Sequence, residues 1–395
     1  MRGAFNGLKA LILNENPSAY YVHCFAHQLQ LVVVAVSKNH DGAHEYFEQL
    51  ALLVNVVCAS CKRKDKKGDQ YKTRIQKEIG SGEIETGSGL NQEISLVQAG
   101  DTRWGSHYRT LTSLKNLFSE VIEVLKYVEE DETNIFNRNQ AFGVLAYFNT
   151  IDFVFYLHLM LKILGLIDTL SKHLQQKDQD ILEAASLVKV TMRTLKDLRN
   201  GGFPSLLDDV FSFCKKHNIA IVEMSEMYIT PRKRKSKVTN QHHFEVDVFN
   251  TVMDMQNQEF GNRFSEVSTN LLEYMSALSP CRILKVNLKN YHSLIVDERF
   301  ANLKGIADLS RLMVETGKHR SFPLVYRLIK LALVLPVATA TVERCFSAMK
   351  LVKIDLRNRI GDDFMTDALI CSVEKEALFD VKTERVMEWF RKMGQ

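Results

Sequence analysis

Four places in the sequence combine residue types able to do chemistry. Cys24-x-x-His27 is half of a zinc pattern, and Cys58-x-x-Cys61 holds the other two ligands of a tetrahedral site. The residues between the pairs read as packed helix, so no bound metal is expected. The other reading packs Cys24 and His27 at a strand-to-helix junction with the imidazole hydrogen-bonded. Asp101-Thr102-Arg103-Trp104 sets an acid beside a guanidinium and an indole. Arg103 can hold a phosphate while Trp104 stacks a base; alternatively Trp104 is buried and Asp101 caps the next helix.

Two basic clusters follow the same logic of charge. Lys62, Arg63, Lys64, Lys66 and Lys67 form the first, and Arg232, Lys233, Arg234, Lys235 and Lys237 the second. Both suit phosphate contact, the second also suits a nuclear import signal, and either can be a solvated face. Neither is interleaved with aromatic residues, so base reading by these clusters is not expected. The fourth place is Glu343, off to one side of an apolar stripe of Val342, Phe346 and Met349 at helical spacing. A single carboxylate cannot hold two metal ions about 4 Å apart.

The elements that must position these groups are mostly helical. The chain has 395 residues with 6 prolines, none of them between Pro17 and Pro204, which favours long helices over a sandwich of short strands. A helix is expected over 5–13, a short strand at Tyr20-Tyr21-Val22, and helices over 26–38 and 43–59. Residues 61–100, charged and then glycine-rich, read as a mobile basic loop. From Tyr108 to about Ser279 the pattern is helical, broken at Gly201-Gly202 and at Pro231–Lys237. Residues 280–304 form an irregular linker. Helices resume over 307–315, 324–335, 339–352, 362–372 and 382–393.

Composition excludes several classes. With 46% apolar and 25% charged residues the chain is of ordinary globular type, and a net charge of +4 is too mild to require a nucleic-acid or membrane partner. The 7 cysteines are too sparse for a disulfide scaffold. The apolar run 145–170 carries Asp152, His158, Lys162 and Asp168, so it reads as a buried helix and not a membrane span. No signal peptide, membrane partner or small-molecule substrate is expected.

Four blocks in order carry a resemblance. They are Met1 to Lys9, Tyr21-Val22-His23-Cys24-Phe25-Ala26-His27 to Leu31, Gly100-Asp101-Thr102-Arg103-Trp104-Gly105-Ser106-His107-Tyr108, and Leu335-Pro336-Val337-Ala338-Thr339-Ala340-Thr341-Val342-Glu343-Arg344 to Asn358. In these the chain resembles the hAT transposases and proteins domesticated from them, especially plant TTF-type or MYM-type zinc-finger proteins with a hAT dimerisation domain. The resemblance implies a mainly α chain. A truncated ribonuclease-H-like α/β core over 1–107 is interrupted by an all-helical insertion over 108–279. The last core helices and the hAT dimerisation region occupy 305–395. Glu343 matches the family's third catalytic carboxylate, Cys24 and His27 its Cys-x-x-His element, and Arg103-Trp104 the pair near the handled DNA end.

The family's other two catalytic aspartates correspond to positions upstream of Met1. The expectation is therefore a catalytically incomplete protein, not an enzyme, with no cofactor; a divalent metal such as Mg enters only if those aspartates are restored. Its partners are itself or related hAT proteins, through Val342, Phe346, Met349, Leu351 and Leu356, with weak DNA association and a nuclear location. A metal-dependent transposase of which this is the C-terminal part, and a helical scaffold without nucleic-acid business, are the alternatives.

Overall fold

The computed structural model describes residues 8–17, 24–81, 94, 96, 104–131, 134–176, 181–229, 235–264, 298–300, 303, 305–334, 348–349, 352–353, 360–373, 378 and 381–393. The chain divides into two compact units, one of residues Met1–His27 with Leu335–Gln395 and one of Gln28–Val334. Among the described residues the regular elements of both are helices, apart from one pair of short strands.

The larger unit is organised by helix α8 (Ile151–Leu174), which is apolar nearly all round and is contacted by α3 (Asp41–Cys58), α5 (Trp104–Asn116), α7 (Ile135–Phe148), α9 (Ile181–Gly201) and α10 (Phe203–Lys216). A helix without a polar face has to be surrounded, since each exposed side chain forgoes the gain of leaving water. By length and composition α8 is long and apolar enough to cross a bilayer, but most of its apolar window is buried inside the fold. Three of its polar side chains show how such groups are accommodated. Lys162 pairs with Asp209 at 2.9 Å, Asp168 with Lys172 at 2.6 Å, and His158 Nδ1 lies 2.9 Å from the Val154 carbonyl. Fully buried rings fill the gaps between helices, with Phe118 stacked on Phe148 at 4.2 Å and Phe148 against Phe153 at 4.6 Å.

Helices α2 (Phe25–Asn39), α3, α9 and α10 agree with the sequence reading, including the break at Gly201-Gly202. The basic loop expected from residue 61 does not form there. Residues Cys61–Gly80 are helix α4, packed against α3 and against α6 (Phe118–Asp131). Ser60 caps it, its hydroxyl accepting from the Arg63 N–H at 3.3 Å, and Lys, Arg, Gln and Glu are all good helix formers. Residues 82–93 of the expected loop lie outside the described residues.

The helical reading of 108–279 also missed a hairpin. Strand β1 (Met227–Ile229) runs antiparallel to β2 (Lys235–Thr239), pairing Met227 with Thr239 and Ile229 with Lys235 around an irregularity. Thr239 then caps α11 (Asn240–His242), which continues as a π-helical stretch His243–Asn250 into α12 (Thr251–Phe264). Phe244 and Phe249 of the π stretch face inward onto Phe155 and Phe203.

At the end of this unit α13 (Ile306–Glu315), the turn α14 (Lys318–Ser321) and α15 (Pro323–Val334) fold back on one another. The smaller unit holds α1 (Leu8–Glu15), α16 (Asp362–Val373) and α17 (Thr383–Met393). The expected strand at residues 20–22, the linker up to residue 297 and most of the helix over 339–352 lie outside the described residues.

Candidate dimerisation and nucleic-acid interfaces

Helix α4 sorts its cations by helical phase. Arg63, Lys67 and Tyr71, spaced by four, are buried. Arg63 donates to the Val56 carbonyl at 2.7 Å and Lys67 to the Ile94 carbonyl at 3.1 Å. Arg63 was expected to contact DNA, and its burial corrects that expectation. A buried guanidinium must be saturated with acceptors, so it serves the fold. Lys62, Lys64 and Lys77 point outward instead, and Lys62, Lys66, Gln70, Thr73 and Lys77 line an open groove along the helix.

The ring that sequence reading found missing from this cluster comes from another helix. Lys66 Nζ stands 3.8 Å and Lys62 Nζ 5.2 Å from the ring centroid of Tyr127 on α6. No spacing in the sequence signals this, because α4 and α6 meet only through tertiary packing. Arg74, next along the helix, is tied to Glu120 at 2.5 Å, to Glu78 at 3.0 Å and to the Asn116 carbonyl at 3.0 Å.

Other predicted site residues fall apart. Cys24 is buried and accepts weakly from the His27 N–H at 3.4 Å, while the half-buried Cys58 thiol donates to the Leu96 carbonyl at 3.2 Å. Burial pushes that thiol up, against the pull of Lys64 and Lys67. Among the described residues no three His, Cys, Asp or Glu side chains are grouped to hold a metal ion. Trp104 begins α5, whereas Asp101, Arg103, Arg232, Lys233, Arg234 and Glu343 lie outside the described residues. Lys235 opens strand β2.

A polar cluster that sequence reading missed joins α8 to the hairpin and the π stretch. Tyr228 donates to Asp152 at 3.2 Å and stacks on His243 at 3.6 Å, and His243 lies 3.7 Å from both Asp152 and Asp247. Burial, then the Asp152 charge, holds the Tyr228 phenol well above its ordinary value. It therefore donates to the carboxylate and does not ionise.

The other candidate surface is apolar. On α15, Ile329 and Ala332 are buried toward α13, while Leu324, Leu328 and Leu331 at i, i+4 and i+7 are exposed, by 74% at Leu324. On α16, Phe364 and Ile370 are exposed as well. An apolar stripe of this kind left in water is a candidate surface for another chain. Residues 287–377 match the hAT family C-terminal dimerisation region. No solved structure matches the chain. The hAT dimerisation region thus takes in α13 to α16 and the residues singled out for dimerisation from sequence. Of those, Met349 is half-buried, and Val342, Phe346, Leu351 and Leu356 lie outside the described residues. The α15 stripe escaped notice, although its helical spacing was legible.

Proposed function

We propose that this chain is a hAT transposase-derived protein whose activity is to dimerise with itself or with related hAT proteins. The observation that carries this reading is the hAT dimerisation region over 287–377 coinciding with the exposed stripe Leu324, Leu328 and Leu331. Burial of that stripe against a second copy removes apolar surface from water at about 25 cal/mol per Å². Light scattering across a concentration series tests it. A mass twice that of the chain is expected, and a strict monomer at high micromolar concentration overturns it.

DNA association is the second part of the proposal, supported by Lys62, Lys66 and Lys77, which line the groove of α4 with Asp65 and Asp69 between them, and by Tyr127 beside Lys62 and Lys66. Phosphate contacts release counterions, so binding weakens steeply with salt. The chain is proposed not to cleave DNA by itself. Glu343 matches the family's third carboxylate, and one carboxylate does not clamp two ions around a phosphate. The ribonuclease-H-like core and the nuclear location stay proposals as well, resting on the blocks at 21–31 and 335–358 and on the run Pro231–Lys237. Incubation of the chain with Mg and hAT-end DNA is expected to leave the DNA intact.

A further inference from the structure

A cavity of about 500 Å³ opens between α4, the junction of α5 and α6, α8 and α10. This volume suits a small organic ligand. One wall is made of rings, with His217 4.3 Å and His158 5.0 Å from Phe213, centroid to centroid. Burial pushes both imidazoles down to about 4; Lys216 and Arg74 add to this at His217, and Lys115 and Lys162 at His158. At neutral pH the wall is therefore aromatic, uncharged and able to exchange hydrogen bonds.

Around the cavity Asp209 holds Lys162, and Arg74 holds both Glu78 and Glu120, one positive charge against two negative. Lys115 and Lys216 are left, both exposed and neither ion-paired among the described residues. Two ammonium groups beside a buried ring wall ask for a ligand with an anionic end and a flat ring carrying polar edges.

We infer that this cavity binds a nucleoside monophosphate unit, with the phosphate against Lys115 and Lys216 and the base against the wall of Phe213 and His217. A base stacks on such rings whatever its identity, and its N–H and carbonyl edges meet Ser212 and Asn116. A phosphorylated phenyl ring has no polar edge to offer those groups. Arg74 lines both this cavity and the groove of α4, so a single strand laid along the α4 cations leads into it. A free mononucleotide presents the same chemistry.

Titration of the full chain with adenosine 5′-monophosphate, and separately with an eight-nucleotide single strand carrying 2-aminopurine, tests the site. Saturable binding of at least one is expected, weakened tenfold or more by Lys115→Ala with Lys216→Ala and by His217→Gln. The two lysines are exposed, so the first variant keeps the test valid if the second fails to fold. Displacement of the strand by the mononucleotide supports a free-nucleotide source, and binding of the strand alone supports an unstacked base. Absence of both, or inorganic phosphate and an abasic strand binding as tightly as their complete counterparts, overturns the inference. None of these readouts depends on dimerisation.

Discussion

Arg63 and Lys64 carry the same charge at adjacent positions, yet one is buried on the Val56 carbonyl and the other is exposed. Removing a buried charge leaves its acceptor without a donor, while removing an exposed one changes only the surrounding field. Arg63→Ala is therefore expected to lower stability by roughly 2–4 kcal/mol in urea unfolding, and Lys64→Ala by less than about 0.5 kcal/mol while weakening DNA retention at low salt. His158 supplies a pH test. Its folded-state value, about 4 because of burial, lies below its ordinary 6.5. Between those values the unfolded chain binds a proton that the folded chain does not. Its contribution is complete above pH 6.5 and is lost as the pH falls toward 4, by roughly 3 kcal/mol. Urea midpoints measured across this window are expected to fall, and His158→Phe to flatten the slope.

Among the elements, two glycines inside helices separate propensity from packing. Gly143 on α7 has open space where a Cβ would stand, whereas on Gly42 of α3 the added atom would overlap the Tyr156 hydroxyl. Gly143→Ala is expected to raise stability by about 0.5–1 kcal/mol from helix propensity alone. Gly42→Ala, in the first turn of its helix, gains less propensity and forces Tyr156 off its stack with Tyr46, at a net loss of about 1–3 kcal/mol. Thermal melts of the two variants should move in opposite directions. Helix α4 shows the same division. Its cap and its helix-forming residues were visible, but a charge run ahead of Gly80-Ser81-Gly82 suggested a loop, because the packing partners on α3 and α6 cannot be seen in sequence.

At the scale of the whole molecule, the proposed dimer rests on the apolar stripe of α15. Leu328→Glu with Leu331→Glu places two carboxylates in a surface that dimerisation would dry. Because both positions are exposed in the single chain, the fold should be indifferent. The expected result is a dimer dissociation constant at least tenfold weaker in sedimentation, with an unchanged helical circular dichroism spectrum. A variant that dimerises as before would place the interface elsewhere in 287–377.

The sequence by itself determined the helical class, the break at Gly201-Gly202, the buried character of α8 and the segment that matches the hAT dimerisation region. Each of these is written in local features: proline absence, periodicity, an unbroken apolar run and a contiguous block of family-like residues. Tertiary structure alone decided which cations of α4 are buried, that Tyr127 lies beside Lys62 and Lys66, and that Asp152, Tyr228 and His243 meet across 91 residues of chain. It also decided that the rings of α8 and α10 close a cavity with Lys115 and Lys216. These are contacts between helices far apart in sequence. They follow from how side chains fill the space between packed elements, and no local pattern of residue types records that.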